Sequence, residues 1–213
     1  MKKSSLVSLR PQPKRKLDQF GVTEETLSER VHLLAARGFL TNAKILFLGD
    51  YDLTSLACLP FAENTEIWVL DVDPAVLDVV QKGSRGVVTT VEHNLKNPLP
   101  KRLLSSFDAV FADPPYTPEG VSLFLSRALS ALKGREWDRI FLSYGSLDPV
   151  RVWAVQKKIG DHGVAVEELR PAFNQYIAAK TISGISDLYV LRPTSKARPL
   201  FAGEYHGKIY TYE

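Results

Sequence analysis

The feature that most constrains this chain is a rhythm. Short, continuous apolar runs alternate with helix-like stretches, and the runs stop at turns rich in acidic residues. Ile45–Leu48 ends at Gly49-Asp50, Ile67–Leu70 at Asp71-Val72-Asp73, and Phe107–Ala112 at Asp113-Pro114-Pro115-Tyr116. A strand that is apolar at every position is covered on both faces, and parallel neighbours are joined by long crossovers that are usually helical. Pro74 with Val76, Leu77, Val79 and Val80, the stretch Pro118–Leu132, and Val150–Ile159 supply such helices. Gly86–Val91, Arg139–Ser143, Val164–Leu169 and Leu188–Leu191 read as further strands. The pattern predicts an α/β fold, with a Rossmann-like, doubly wound, mostly parallel sheet of about seven strands and helices on both faces.

The 213 residues suit a single domain. Residues 1–40 read as an N-terminal arm and helix, and 41–213 as the catalytic sheet domain. The arm, 1–17, is polar and basic with Pro11 and Pro13 and is expected to be extended. Thr23 before Glu24, Glu25 and Thr26 is a helix-start signature; Leu27, Val31, Leu34 and Ala35 then recur at helical spacing up to Gly38, a C-cap residue. Pro193–Pro199 reads as a loop, and Tyr205–Glu213 as a tail or an edge strand.

Composition narrows the function classes. At 45% apolar and 24% charged residues, the chain is neither disordered nor fibrous. No apolar run reaches the ~18 residues of a membrane span, and no apolar segment follows Lys2 and Lys3 as in a signal peptide. A lone Cys58 cannot form an internal disulfide, which fits a reducing compartment. The expectation is a cytoplasmic protein with no membrane partner; sparse Cys and Met point to a thermophile. A net charge of +3, clustered only at Lys14, Arg15 and Lys16, does not call for nucleic acid. One Cys and four scattered His leave no zinc cluster, and phosphate-binding and Ser-nucleophile motifs are absent, so no metal is expected.

In open parallel sheets, ligands bind beyond the carboxyl ends of the strands. Those ends carry Gly49-Asp50-Tyr51-Asp52, Asp71-Val72-Asp73, His93-Asn94, Asp113-Pro114-Pro115-Tyr116 and Ser143-Tyr144-Gly145. Asp71 lies about 20 residues beyond the first turn, where an acidic residue takes ribose hydroxyls; the other reading is a cap for the helix at Pro74. Asn94 could meet an adenine edge or serve as a turn residue before Asn97-Pro98. The first turn has a single glycine and two aspartates, which would repel an anionic group and hold a cationic one. One of Asp50 and Asp52 is expected to cap the helix at Leu53-Thr54-Ser55 instead. Two prolines after Asp113 fix the backbone and aim its side chain, and Tyr116 offers a flat face to a base or a cation.

Jointly, these stretches resemble the catalytic domain of the branched-chain polyamine synthases, the N4-bis(aminopropyl)spermidine synthases. The matching residues are Arg10-Pro-Gln-Pro-Lys-Arg-Lys-Leu-Asp18-Gln19-Phe20, Leu46-Phe-Leu-Gly49-Asp50-Tyr51-Asp52-Leu-Thr-Ser55, Leu70-Asp71-Val72-Asp73, Asn97-Pro-Leu-Pro100 and Asp113-Pro-Pro-Tyr-Thr-Pro-Glu-Gly120. The resemblance implies a class I methyltransferase-like fold. It also implies aminopropyl transfer from decarboxylated S-adenosylmethionine, as cosubstrate, to the secondary amine of spermidine, with methylthioadenosine leaving. Three departures stand out. Tyr51 replaces the middle acid of the family's Gly-Asp-Asp-Asp turn, His93-Asn94 stands where the family tends to have His-Asp, and the N-terminal winged-helix domain is expected to be absent.

On this resemblance Asp50 is the base, with Asp113 and the Pro114 backbone orienting the acceptor nitrogen. The donor is expected against Gly49, Asp52, Asp71, Val72, Asn94 and Pro114. The acceptor is expected against Asp18, Pro115 and Tyr116, unless Asp18-Gln19 merely orders the arm. Glu119 reads as a helix-capping residue. A homodimer is the expected assembly. The alternatives are an Asp-Pro-Pro-Tyr N-methyltransferase using S-adenosylmethionine, and a polyamine-binding module without catalysis.

Overall fold

The structure is a computed structural model and describes residues 5–145, 147–177 and 184–211. Seven strands form one sheet in the order β3-β2-β1-β4-β5-β7-β6. They are β1 (Lys44–Leu48), β2 (Glu66–Asp71), β3 (Thr89–Glu92), β4 (Ala109–Ala112), β5 (Arg139–Tyr144), β6 (Val164–Gln175) and β7 (Ile185–Pro193). Strands β1 to β5 are parallel, whereas β7 runs antiparallel between β5 and β6. This is the doubly wound, Rossmann-like order in which the chain reverses direction beside β1, between β1 and β4, and leaves a crevice there.

Helices α1 (Glu24–Ala36), α2 (Thr54–Cys58), α3 (Pro74–Gly83), α4 (Pro118–Ala131) and α5 (Pro149–Asp161) complete the fold. Their ends follow from local chemistry. Thr23 caps α1 by accepting from the Thr26 N–H at 3.2 Å. The helix closes in a Schellman motif: Gly38 N–H reaches Ala35 O at 2.9 Å, and Phe39 N–H reaches Leu34 O at 2.9 Å. Gly38 sits at φ 78°, a region in which a side chain would be strained. Asp73, Thr117 and Asp148 cap α3, α4 and α5, each followed by a proline at the first helical turn. Glu119 therefore lies in the first turn of α4 without being its cap.

The sheet is covered on both faces. One apolar cluster joins Leu46, Leu48, Val110, Leu125 and Ile140; the other joins Phe47, Phe111, Phe141, Leu34 and Val76. Alternate residues of each parallel strand thus supply opposite cores, which is why these strands read as unbroken apolar runs.

Several expected boundaries move. Gly86, at φ 79°, turns the chain into β3, which begins only at Thr89. Strand β6 runs past Leu169 through Pro171 to Gln175, with an irregularity between Arg170 and Asn174. An edge strand tolerates proline because one side of it needs no partner. The described part of the N-terminal arm is not simply extended: it makes 3-10 turns over Leu6–Leu9 and Arg15–Leu17. From Tyr205 to Thr211 the chain forms no strand; residues 212 and 213, like 1–4, lie outside the described set.

Candidate active site

A single cleft opens at the carboxyl ends of β1, β2 and β4. Asp18, Gly49, Asp50, Asp52, Asp71, Val72, Asp113, Pro114, Pro115 and Tyr116 all line it. Of the residues assigned to donor or acceptor from the sequence, only Asn94 stands outside it. Asn94 is exposed and makes a side-chain turn, accepting from the Lys96 N–H at 3.0 Å, while its neighbour His93 faces the cleft. Asn94 thus makes the turn that the sequence offered as its other reading.

The first turn bends sharply. Gly49 adopts φ 74° and Leu53 φ 63°. For a buried leucine the left-handed region costs of order 1–3 kcal/mol, a strain typical of functional turns. The bend separates the two aspartates. Asp50 points back to α2, accepting from the Ser55 N–H at 3.3 Å and from the Ser55 hydroxyl. It is the member of the pair that holds the first turn of α2, and it lines the cleft as well. Burial pushes its carboxyl up to about 8; Ser55 opposes this, and the Asp52 and Asp71 charges add to it.

Asp52 departs from expectation. One of its oxygens meets Arg30 Nη1 at 2.8 Å, and the other accepts from the Val22 N–H at 2.7 Å. Arg10 lies 3.7 Å away. The carboxylate is thus compensated inside the protein by Arg30 and Arg10 while it still lines the cleft.

Asp71 accepts from the Asp50 N–H at 3.0 Å and the Asp73 N–H at 2.8 Å. It ties the ends of β1 and β2 together, and burial raises its pKa against those two N–H groups. The helix-capping alternative belongs to Asp73, which also carries Lys14 at 2.6 Å and Gln19 at 3.0 Å. Burial raises the Asp73 pKa, but the Lys14 and Gln19 hydrogen bonds outweigh it and the net shift is down.

Asp113 is held from behind. Its Oδ2 receives Arg30 Nη2 at 2.8 Å, and the Tyr176 hydroxyl donates to Oδ2 at 2.9 Å. Its side chain remains 19% exposed, toward the cleft. Burial raises its pKa, Arg30 opposes and Asp52 adds, leaving it at about 6. Tyr116 stands edge-on to Tyr176, with ring centroids 6.3 Å apart, and tilted to Phe20 at 6.1 Å. Asp18 closes the far side: its Oδ2 accepts from the Thr211 N–H at 2.8 Å. Burial raises the Asp18 pKa against the Thr211 N–H. Among the described residues, no group of three acidic, His or Cys side chains could hold a metal ion.

Sequence reading missed Arg30, Asn174 and Tyr176. Arg30 is 1% exposed, and its Nε reaches Asn174 Oδ1 at 2.8 Å. A signal for it existed: Leu27, Arg30, Val31 and Leu34 share the buried stripe of α1. An arginine in an apolar stripe announces buried carboxylates. Asn174 and Tyr176 were hidden by Pro171, which discourages reading a strand through it.

Comparisons with known proteins point to one family. The family model for the branched-chain polyamine synthase A C-terminal domain matches residues 1–210. An uncharacterized protein of Methanocaldococcus jannaschii is 39% identical over 206 residues, 95% of this chain and 51% of its own length. The N(4)-bis(aminopropyl)spermidine synthase of the same organism is 33% identical over 180 residues, 81% of this chain and 51% of its own length. This chain thus spans about half the length of the curated relatives it matches. A solved structure of the branched-chain polyamine synthase from Thermus thermophilus, in complex with N4-aminopropylspermidine and 5′-methylthioadenosine, superposes with a TM-score of 0.86 at 25% identity. The match covers 97% of this chain and 66% of that one.

Proposed function

The chain belongs to the branched-chain polyamine synthase family, and from that premise we propose that it is an aminopropyltransferase. The donor is decarboxylated S-adenosylmethionine, and the acceptor is an amine nitrogen of spermidine or a related polyamine. The observation that carries this reading is the cleft itself, in which Asp18, Asp50, Asp71 and Asp113 converge beyond the strand ends. Both substrates are cations, and a rim of carboxylates is what brings two cations together.

Asp71, at the end of β2, takes the ribose hydroxyls of the donor in this reading, with Gly49, Val72 and Pro114 as its neighbours in the cleft lining. The neutral acceptor nitrogen attacks the methylene carbon beside the sulfonium sulfur. The carbon–sulfur bond breaks in line, its electron pair returns to sulfur, and the nitrogen's proton passes to a carboxylate. Asp50 is the group for that proton, since burial has raised its affinity for one to about 8. Asp113, fixed from behind by Arg30 and Tyr176, orients the nitrogen as a hydrogen-bond acceptor. Tyr116, backed by Tyr176, presents its ring to the cationic end of the acceptor, and Asp18, on the cleft wall, receives a distal ammonium.

The test is mass spectrometry of products formed by the purified protein with spermidine and either decarboxylated or ordinary S-adenosylmethionine. Aminopropyl additions with the decarboxylated donor support the assignment. Methylated product with the ordinary donor would replace it with methyl transfer, and binding without product would leave a polyamine-binding module.

A further inference from the structure

Arg30 is an unusual occupant of the wall behind the cleft. It lies on α1, outside the strand-end turns, yet its guanidinium reaches both acidic turns at once. Nη1 bonds Asp52 at 2.8 Å, Nη2 bonds Asp113 at 2.8 Å, and Nε is fixed on Asn174 Oδ1 at 2.8 Å. Its planar face lies 4.9 Å from the Phe111 ring centroid. Asn174 is itself clamped by donating to Ser186 Oγ at 3.0 Å and Ser143 Oγ at 3.2 Å. The directions of the fork are therefore set by the turns after β1 and β4, by α2 and by β5 and β6, and Arg30 is only 1% exposed.

We propose that Arg30 is a positioning residue for aminopropyl transfer: it holds Asp113 as an oriented carboxylate whose remaining lone pairs face the acceptor nitrogen. The inference rests on the assignment of this cleft to that reaction. Asp113 is faced by Arg30 from α1, Asp52 from the first turn, Tyr116 from its own turn and Tyr176 from just beyond the end of β6. Arg30 is the sole cation in that set. Without it, two buried carboxylates would face each other and the one nearer the cleft would take up a proton. A protonated Asp113 can donate a hydrogen bond to the amine's lone pair, which blocks the nucleophile. An ionised one can only accept, which leaves the lone pair free to attack. Lysine cannot replace this function in full, because a single ammonium lacks the fork that spans both acids.

The experiment uses the full chain with Arg30→Met and Arg30→Lys, followed by carboxyl-carbon NMR titration of Asp113, identified by its loss in Asp113→Asn. Steady-state aminopropyl transfer is measured in parallel. In Arg30→Met the Asp113 midpoint should rise by roughly one to three pH units. A rise of about two units cuts its ionised fraction near pH 7 about tenfold, and kcat should fall at least as far with KM for the donor little changed. Arg30→Lys should keep the midpoint near that of the parent and still lose kcat. Should Arg30→Met not fold, Arg30→Lys and Arg30→Gln carry the same comparison. An Asp113 midpoint unchanged in a folded, charge-free variant overturns the proposal. So does a kcat loss that persists undiminished when Arg30→Met is placed on Asp113→Asn. An inactive parent protein with the expected NMR shift would instead sink the reaction assignment while leaving the Arg30–Asp113 coupling established.

Discussion

Replacing Asp50 with asparagine separates the demands of catalysis from those of folding, because the two should move in opposite directions. Asp50 is 3% exposed and bonded only to Ser55 among side chains. Asparagine has the same shape; its carbonyl can accept from the Ser55 N–H and its amide can donate to the hydroxyl. What it cannot do is accept a proton. As a general base contributes about 10²–10⁴ in rate, kcat should fall by that range. The stability argument has the opposite sign. Burial raises the folded carboxyl from 3.8 to about 8. The stabilisation that a raised acid provides is fully present below the unfolded pKa and is lost as pH rises through the folded one. At roughly 1.4 kcal/mol per unit, the parent protein should lose on the order of 4 kcal/mol from this group between about pH 4 and pH 7. The substituted amide does not titrate, so Asp50→Asn should match the parent at low pH and exceed it above neutrality.

The assay is denaturant unfolding of both proteins followed by circular dichroism at about pH 5 and pH 8.5, paired with product formation at the higher pH. A stability difference that is the same at both pH values would refute the raised pKa. A kcat within a few fold of the parent would refute the base assignment, whatever the unfolding curves show.

Three further outcomes follow from the same geometry. Tyr176→Phe removes the hydroxyl that donates to both Asp113 oxygens, at 2.9 and 3.1 Å; a charged hydrogen bond is worth about 1.5–3 kcal/mol, so the Asp113 titration should move up by about one to two units and transfer near neutral pH should slow. Asn94→Ala, on an exposed turn outside the cleft, should change methylthioadenosine affinity by less than about twofold in calorimetry. Polyamine binding near pH 7 should release protons, because an arriving ammonium favours the charged form of Asp50 and lowers its pKa. Calorimetry in buffers of different ionisation enthalpy reads that release directly, and it should vanish in Asp50→Asn.

The parallel half of the fold was legible because its physics is local. A strand buried on both faces has to be apolar throughout, and a helix beginning at Pro74 or Pro118 needs a cap just before it, which Asp73 and Thr117 provide. The antiparallel half was less legible. Strand β6 is on the edge, so its burial does not alternate cleanly, and Pro171 interrupts its pattern. The site divides in the same way. Its acidic turns follow strand ends and could be read directly, whereas Arg30, Asn174 and Tyr176 reach it from elements distant in sequence, at separations such as the 144 residues between Arg30 and Asn174. Spacing rules cannot see a contact of that range. Only the unexplained charge in the α1 stripe pointed to it.

The sequence also showed more acids at the rim than the chemistry can use, and the structure sorts them by partner. Asp52 is neutralised by Arg30 and Arg10, and Asp73 by Lys14. Asp113 is half-compensated, sharing Arg30 with Asp52. Among the described residues, Asp18, Asp50 and Asp71 have no ion-pair partner, and burial raises the pKa of all three. A buried carboxylate without a cation is costly in the free protein, and that cost falls when a cationic ligand arrives. Of the uncompensated acids, Asp18 and Asp50 therefore mark where ligand charge is expected and Asp71 where the neutral ribose hydroxyls are, while the compensated ones mark what holds the turns in shape. Asp113 belongs to both groups: Arg30 keeps it ionised, and its exposed edge leaves it free to accept.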